Sequence, residues 1–391
     1  MNQIRLPDRL TFAVGFATTI GLTGASAAPW IVDALVATHR FDIEQASRIE
    51  ALEKAATGVA LLLVSPIINR LSHRFLALTG VLLVVIAQLI STQMGDLPTL
   101  GAARVASGVG LGLIYGVASA TGARAAEPDR TYAAAGVIQL LICVALNPIL
   151  GFGSEMAGPR GIFIALAAWC VVLALPLFLT MPTDRVARSA TGAGTKEPNA
   201  SLSAVAVGGV LMIMALFSMA NGAVYNFFAV IPNSFGLSGK ELGFGLSIVS
   251  LVGTIGGLAA NKLGMRWGRA VPLALGLVFT GSSGLALMLV QDRVQYYAAF
   301  SALLISFYFL NPYIFGLAAE VDPSGRLSSA TASALMLVGS FAAWSASLLS
   351  TRWGYPGVGI AALALCILAT GIALAVVRFT AKREIVAREN C

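Results

Sequence analysis

Ser65-Pro-Ile-Ile-Asn69-Arg70-Leu71-Ser72-His73-Arg74 returns 192 residues later as Gly257-Leu-Ala-Ala-Asn261-Lys262-Leu263-Gly264-Met265-Arg266. Asn, a base, Leu, a small residue and Arg fall in the same slots of both copies. Each copy joins two long apolar stretches. A polar surface loop repeated in both halves implies two similar bundles facing each other across a central cleft. A second echo supports the duplication. Arg130-Thr-Tyr-Ala-Ala-Ala follows the acidic stretch Glu127 to Asp129, and Arg326-Leu-Ser-Ser-Ala-Thr follows Glu320 to Asp322.

The rest of the chain decides the solvent. Of 391 residues, 57% are hydrophobic and 11% charged, with a mean hydropathy of +0.84. A soluble domain carries roughly a quarter charged residues, so this chain lacks the polar surface to coat a water-soluble globule. A bilayer admits only helices or closed barrels, because every backbone polar group must be bonded internally. The apolar runs last about 20 residues without period-2 alternation, which makes them helices. Spans are expected near 10–37, 45–68, 75–94, 98–123, 131–156, 161–181, 203–232, 240–261, 270–290, 295–319, 327–350 and 356–377. The fold class is therefore an all-α polytopic membrane protein of twelve spans. It divides into a six-helix bundle over 1–182, a polar linker over 183–200 and a second six-helix bundle over 201–391. Arg5, Arg9 and Ala25-Ser26-Ala27 imitate a cleavable leader, but hydrophobicity runs past Pro29 to Ala37, and the segment is read as a retained first span.

Basic residues orient the spans. Placing both termini in the cytoplasm gives that side seventeen Lys and Arg, from Arg5 to Arg388, and the other side six. The expected location is the inner membrane. The net charge of +7 sits in short loops, which excludes a nucleic-acid footprint. Cys143, Cys170, Cys366 and Cys391 form no paired motif, and two histidines do not make a metal site. No cofactor and no metal are expected. The chain holds no Walker loop, no acidic metal cluster and no His-based catalytic set, so an enzyme and an ATP-driven pump are both set aside. The expected partners are a small-molecule solute, protons and the lipid bilayer, and the expected state is a monomer.

These residues resemble the major facilitator superfamily over the whole chain: twelve spans, a central linker, and the signature between spans two and three with its echo between eight and nine. The resemblance implies two pseudo-symmetric bundles and alternating access. At the signature Ser65 stands where the family has Gly, and Asn69 and Asn261 stand where it has an acid. Arg104-Val-Ala-Ser-Gly108-Val-Gly110 is similar to the family's fourth-helix pattern of an Arg followed by spaced glycines. Asn147-Pro148-Ile-Leu-Gly151 faintly resembles the Gly-Pro element of antiporters, without its first glycine.

Span two carries the most chemistry. Its apolar part, Ala55 to Ile68, is too short to cross ~30 Å of hydrocarbon alone, so Arg48-Ile-Glu50-Ala-Leu-Glu53-Lys54 must face protein or water. Glu50 and Lys54 stand at i, i+4 and satisfy each other. Glu53 is left over, and an ionisable group at membrane depth marks an ion or proton path; the plain alternative places it among headgroups. Arg104 lies ~9 Å inside span four. It either holds an anionic solute or pairs with Glu53, unless it snorkels outward. Asp33 is a candidate outer gate or second proton site, or an ordinary helix-end carboxylate. Asn221, Tyr225 and Asn226 on span seven, and Tyr308 and Asn311 near Tyr313 on span ten, are candidate cavity residues or interhelical hydrogen-bonding groups. Gln139 and Asn147 are weaker candidates.

Asn69, Arg70, Arg74, Asn261, Lys262 and Arg266 form the candidate cytoplasmic gate, with Arg70 and Arg74 meeting Glu127, Asp129, Glu320 or Asp322 when that side is closed. Plain positive-inside topology is the other reading, and it covers Arg269 too. The function expected is proton-coupled transport of a small organic solute, an anion such as a carboxylate on account of Arg104, with import slightly favoured. Proton-antiport efflux of drugs or metabolites is the alternative, and a transport-like sensor a more distant one.

Overall fold

The computed structural model describes residues 8–38, 41, 43–68, 70–93, 96–181, 204–225, 227, 231, 235 and 239–389, and among them there is helix and turn but no strand. The first crossing is split into α1 (Arg9–Gly21) and α2 (Thr23–Ala37) by Leu22, which leaves the helical region at φ −99°, ψ 2°. There follow α3 (Ile43–Val64), α4 (His73–Ser91), α5 (Leu97–Ala123), α6 (Pro128–Ala157) and α7 (Pro159–Thr180). The second half holds α8 (Ala204–Tyr225), α9 (Gly239–Leu263), α10 (Ala270–Met288), α11 (Arg293–Val321) and α12 (Arg326–Glu389).

The element boundaries follow from local chemistry. Asp8 caps α1 by accepting from the Thr11 amide at 2.8 Å, and Asp292 caps α11 through the amides of Val294 and Gln295. Proline opens α5, α6 and α7 in the first turn, where its missing N–H costs nothing. The two limbs of α12 meet at Gly354, whose φ of 66° and ψ of −175° suit only glycine. The hydrophobic signal thus separates two crossings that the backbone joins by a single-residue turn. α6 starts at Pro128 rather than 131, which brings Asp129 into its first turn.

Ten helices of the described residues are long and apolar enough to cross a membrane. With α3 and the first limb of α12 they form an arrangement consistent with twelve crossings in a multi-pass membrane protein. Leu63, Phe75, Val172 and Leu175 point outward, as lipid-facing side chains must. Between helices, small residues take over. A Cβ on Gly108 would overlap the Glu53 carbonyl oxygen, and one on Gly112 would lie 2.6 Å from the Thr57 carbonyl, so α3 and α5 touch backbone to backbone.

Arg9 donates to the Leu179 carbonyl at 2.7 Å, which puts the start of the first crossing and the end of α7 on one face. That side, where the first half ends, is termed the junction face. The halves meet along two seams, α6 against α9 and α3 with α5 against α12. On the second seam, serine hydroxyls donate to carbonyls across the boundary: Ser65 to Arg326 at 2.6 Å, Ser329 to Gly116 at 3.1 Å and Ser333 to Gly58 at 2.6 Å. Gly325, at φ 83°, lies directly against the Ala120 backbone. The junction side of this seam is shut.

Candidate functional site

Three polar assemblies stand out in the interior of the described residues. The first is centred on Glu53 and Arg104, which are 3% and 0% exposed. An Arg104 guanidinium nitrogen stands 3.3 Å from Glu53 Oε2, while its other terminal nitrogen donates to Gln88 Oε1 at 2.9 Å and Ser91 Oγ at 2.8 Å. Ser107 donates to Glu53 Oε1 at 2.6 Å, and the guanidinium stands 5.1 Å over the Phe163 ring. Arg104 is thus held by a carboxylate, two neutral acceptors and a π face, and only its Nε lacks a partner. Helical spacing sets the pairs, with Ser107 one turn past Arg104 on α5 and Gln88 and Ser91 one turn apart on α4, and the packing of α3 and α4 on α5 brings them together.

This pair lies inside the first bundle and does not line the cleft. A Cβ on Gly24 would come within 3.3 Å of Glu53 Oε1, so the carboxylate abuts α2 just past the break at Leu22. Ser26 and Trp30 of that helix, and Leu22 before it, line the central space. The first crossing is therefore the wall between the ion pair and the cleft. Of the two roles expected for Arg104, this structure shows the pairing with Glu53, and the guanidinium lines neither chamber. Glu50 and Lys54 pair with each other at 3.5 Å, and the Lys54 stem passes Gly339 of α12.

The second assembly is the central space itself, two chambers sharing Gln139 and Tyr308 as walls, the one away from the junction face the larger. Tyr308 Oη donates to Gln139 Oε1 at 3.2 Å, a bond from the second half to the first that divides the chambers. Asn311 lies in the junction-side chamber with its Oδ1 buried and unpartnered. Tyr225 lies in the other, where Trp30 Nε1 donates to Asn147 Oδ1 at 3.0 Å. Asn221 is half-buried on α8 and lines neither chamber. Asn226 and the Asp33 side chain lie outside the described residues.

The third assembly closes the junction face. Arg269, at the start of α10, makes a two-pronged pair with Asp129 of α6 at 2.6 and 3.1 Å and reaches Glu320 of α11 at 2.8 Å. It also donates to the Tyr313 carbonyl at 3.3 Å. Asp129 and Arg269 are both under 10% exposed. Asn261 adds a 3.4 Å bond from α9 to the Arg130 carbonyl.

The arginines expected to close this face do something else. Arg74 donates to the Met181 carbonyl at 2.8 Å, just past the end of α7, where a cation meets the helix's negative pole. Arg70, Lys262 and Arg266 are exposed, without an ion pair among the described residues, and Asn69 lies outside them. Glu127 pairs with Arg130 one turn away, and Asp322 caps its own turn through the amides of Ser324 and Leu327. Arg269 sits three residues past the repeated signature, so slot-by-slot alignment passes it by; its one visible signal was a base at the mouth of a helix.

A helical membrane protein of two seamed halves around a divided polar space is built as a solute carrier. Comparison with known proteins gives the family. The Major Facilitator Superfamily profile matches residues 10–344, and the chain belongs to that superfamily. Solved structures agree on the fold. The human organic anion transporter MFSD10 has a TM-score of 0.74 at 14% identity, covering 93% of this chain and 99% of that one. The proton:xylose symporter XylE gives 0.70 at 15% identity, covering 93% and 92%. A bacterial homologue of the iron transporter ferroportin, in an outward-facing state, gives 0.70 at 17%, covering 95% and 99%. No curated protein matches the chain.

Proposed function

We propose that this transporter is a proton-coupled secondary carrier of the inner membrane, working as a monomer with both termini cytoplasmic, that imports a small organic solute by alternating access. The junction face is then the cytoplasmic face, in keeping with its load of basic residues. One observation carries the coupling: Glu53 is buried against the break in the first crossing, the helix whose other side lines the chambers. When Glu53 takes a proton, its attraction to Arg104 is lost and the guanidinium keeps only neutral acceptors. The α2 wall that Glu53 touches is then free to re-pack, and the solute space changes with it. An ionisable group so deep in the membrane is costly to keep, which fits a transport role. The halves 1–182 and 201–391 act as the two rocking bodies. Pro148 without the antiporters' preceding glycine goes with import.

A thermal-shift screen of purified protein against sugars, amino acids, aromatic acids and neutral heterocycles identifies the ligand, since a ligand of the folded state raises apparent stability. In proteoliposomes with an imposed pH gradient, Glu53→Gln is expected to lower solute accumulation about tenfold or more while solute exchange at equal pH persists. Undiminished accumulation in that variant removes Glu53 from the coupling.

A further inference from the structure

We propose that the divided chamber takes its solute uncharged, as a small planar aromatic or heteroaromatic molecule with an amide-like edge that offers C=O and N–H side by side. This rests on the chambers being the solute path of the carrier proposed above.

Charge comes first. Among the described residues, none lining either chamber is acidic or basic. The ion pairs around the chambers close on themselves, Glu50 with Lys54, Glu53 with Arg104 and Asp129 with Arg269. An ionised solute would give up its water here without meeting a counter-charge, whereas a neutral one avoids that cost. The walls are instead aromatic, with Trp30, Tyr225, Phe300 and Tyr308 around the larger chamber, and such faces suit a flat ring.

The hydrogen-bonding groups then select the edge. Trp30 occupies the Asn147 oxygen, leaving the Asn147 amide N–H₂ as a donor on the chamber wall. The dividing bond itself runs from a phenol donor to an amide acceptor. A solute that opens it must satisfy both ends at once, accepting from Tyr308 Oη and donating to Gln139 Oε1. A C(=O)–NH edge does this one for one; a carboxylate offers no donor and leaves the Gln139 oxygen bare. Beyond the divide, the buried Asn311 Oδ1 has no donor and would receive the same N–H next. A phenol-to-amide bond placed where the two chambers meet therefore works as a gate that an amide edge can replace.

Matched probes test this in the purified full chain at neutral pH: benzamide against benzoate, and uracil against its 6-carboxylate, orotate. The neutral member of each pair is expected to raise the melting temperature saturably and the carboxylate to have little effect. Tyr308→Phe, which keeps the ring, is expected to weaken uracil binding about tenfold, and Gln139→Leu to do the same. Equal or stronger binding of the carboxylates overturns the proposal. So does the absence of a saturable shift with both neutral probes, or unchanged uracil affinity in both variants. Neutral binding that persists while a pH gradient drives no accumulation sinks the proton coupling alone.

Discussion

At the scale of single residues, the first assembly is a charge pair that cannot lose one member cheaply. Removing one partner of a buried pair leaves an uncompensated ion and costs ~3–5 kcal/mol, while replacing both with neutral groups of similar volume is close to neutral. Arg104→Met exposes this asymmetry, because it strands Glu53 at 3% exposure with Ser107 as its remaining donor. The single variant is expected to melt several degrees below the parent in detergent, and Arg104→Met with Glu53→Gln to recover most of the loss. A double variant no better than Arg104→Met would show that the loss comes from the missing contacts of Arg104 with Gln88, Ser91 and the Phe163 face and not from a stranded Glu53. Both charged residues were legible in the sequence, since charge in an apolar run stands out. Gln88, Ser91 and Ser107 were not, because uncharged polar residues occur throughout membrane helices and only packing shows which of them converge.

At the scale of elements, α5 shows which glycines the fold needs. Hydropathy located this helix and the family resemblance picked out its spaced glycines, but the register against α3 is set by contacts no single sequence displays. Gly108 sits where any Cβ would overlap the Glu53 carbonyl, whereas a Cβ on Gly101, one turn inside the same helix, meets nothing within 4 Å. Gly108→Val is therefore expected to push α3 off α5, dislodge Glu53 and abolish folded protein, read as the loss of a monodisperse gel-filtration peak. Gly101→Ala only gains helix propensity, ~0.4–1 kcal/mol, and is expected to raise the melting temperature slightly. Equal tolerance of both changes would mean that α3 and α5 are not in backbone contact. The same limit explains the second half: hydropathy separated the two crossings of α12, while their junction at Gly354 depends on a backbone angle that composition does not report.

At the scale of the whole molecule, the junction face is held by two chemistries on its two seams. The α3/α5–α12 seam is neutral, serine hydroxyls on carbonyls with glycine backbones in contact, and such bonds re-form with water at little net cost when the face opens. The α6 seam is ionic, with one arginine joining α10 to α6 and α11 at a site shielded from screening by burial. The repeated signature announced bases on this face but not which of them closes it. That is decided by the helix end beside each: Arg74 falls next to the C-terminus of α7, and Arg269 next to two carboxylates. The energy that biases the closed state therefore rests on Arg269. Its loss should shift the balance of states at least tenfold, the equivalent of ~1.4 kcal/mol. Ser329, fully buried against Gly116 in the neutral seam, reports opening without touching the ion cluster. With the native cysteines replaced and Ser329→Cys as the reporter, Arg269→Gln is expected to raise the maleimide labelling rate in membranes at least tenfold. Arg70→Ala, an exposed arginine, should leave that rate unchanged. A rise with Arg70→Ala and none with Arg269→Gln would transfer the lock to the first signature loop and leave the ionic seam with no part in the choice between states.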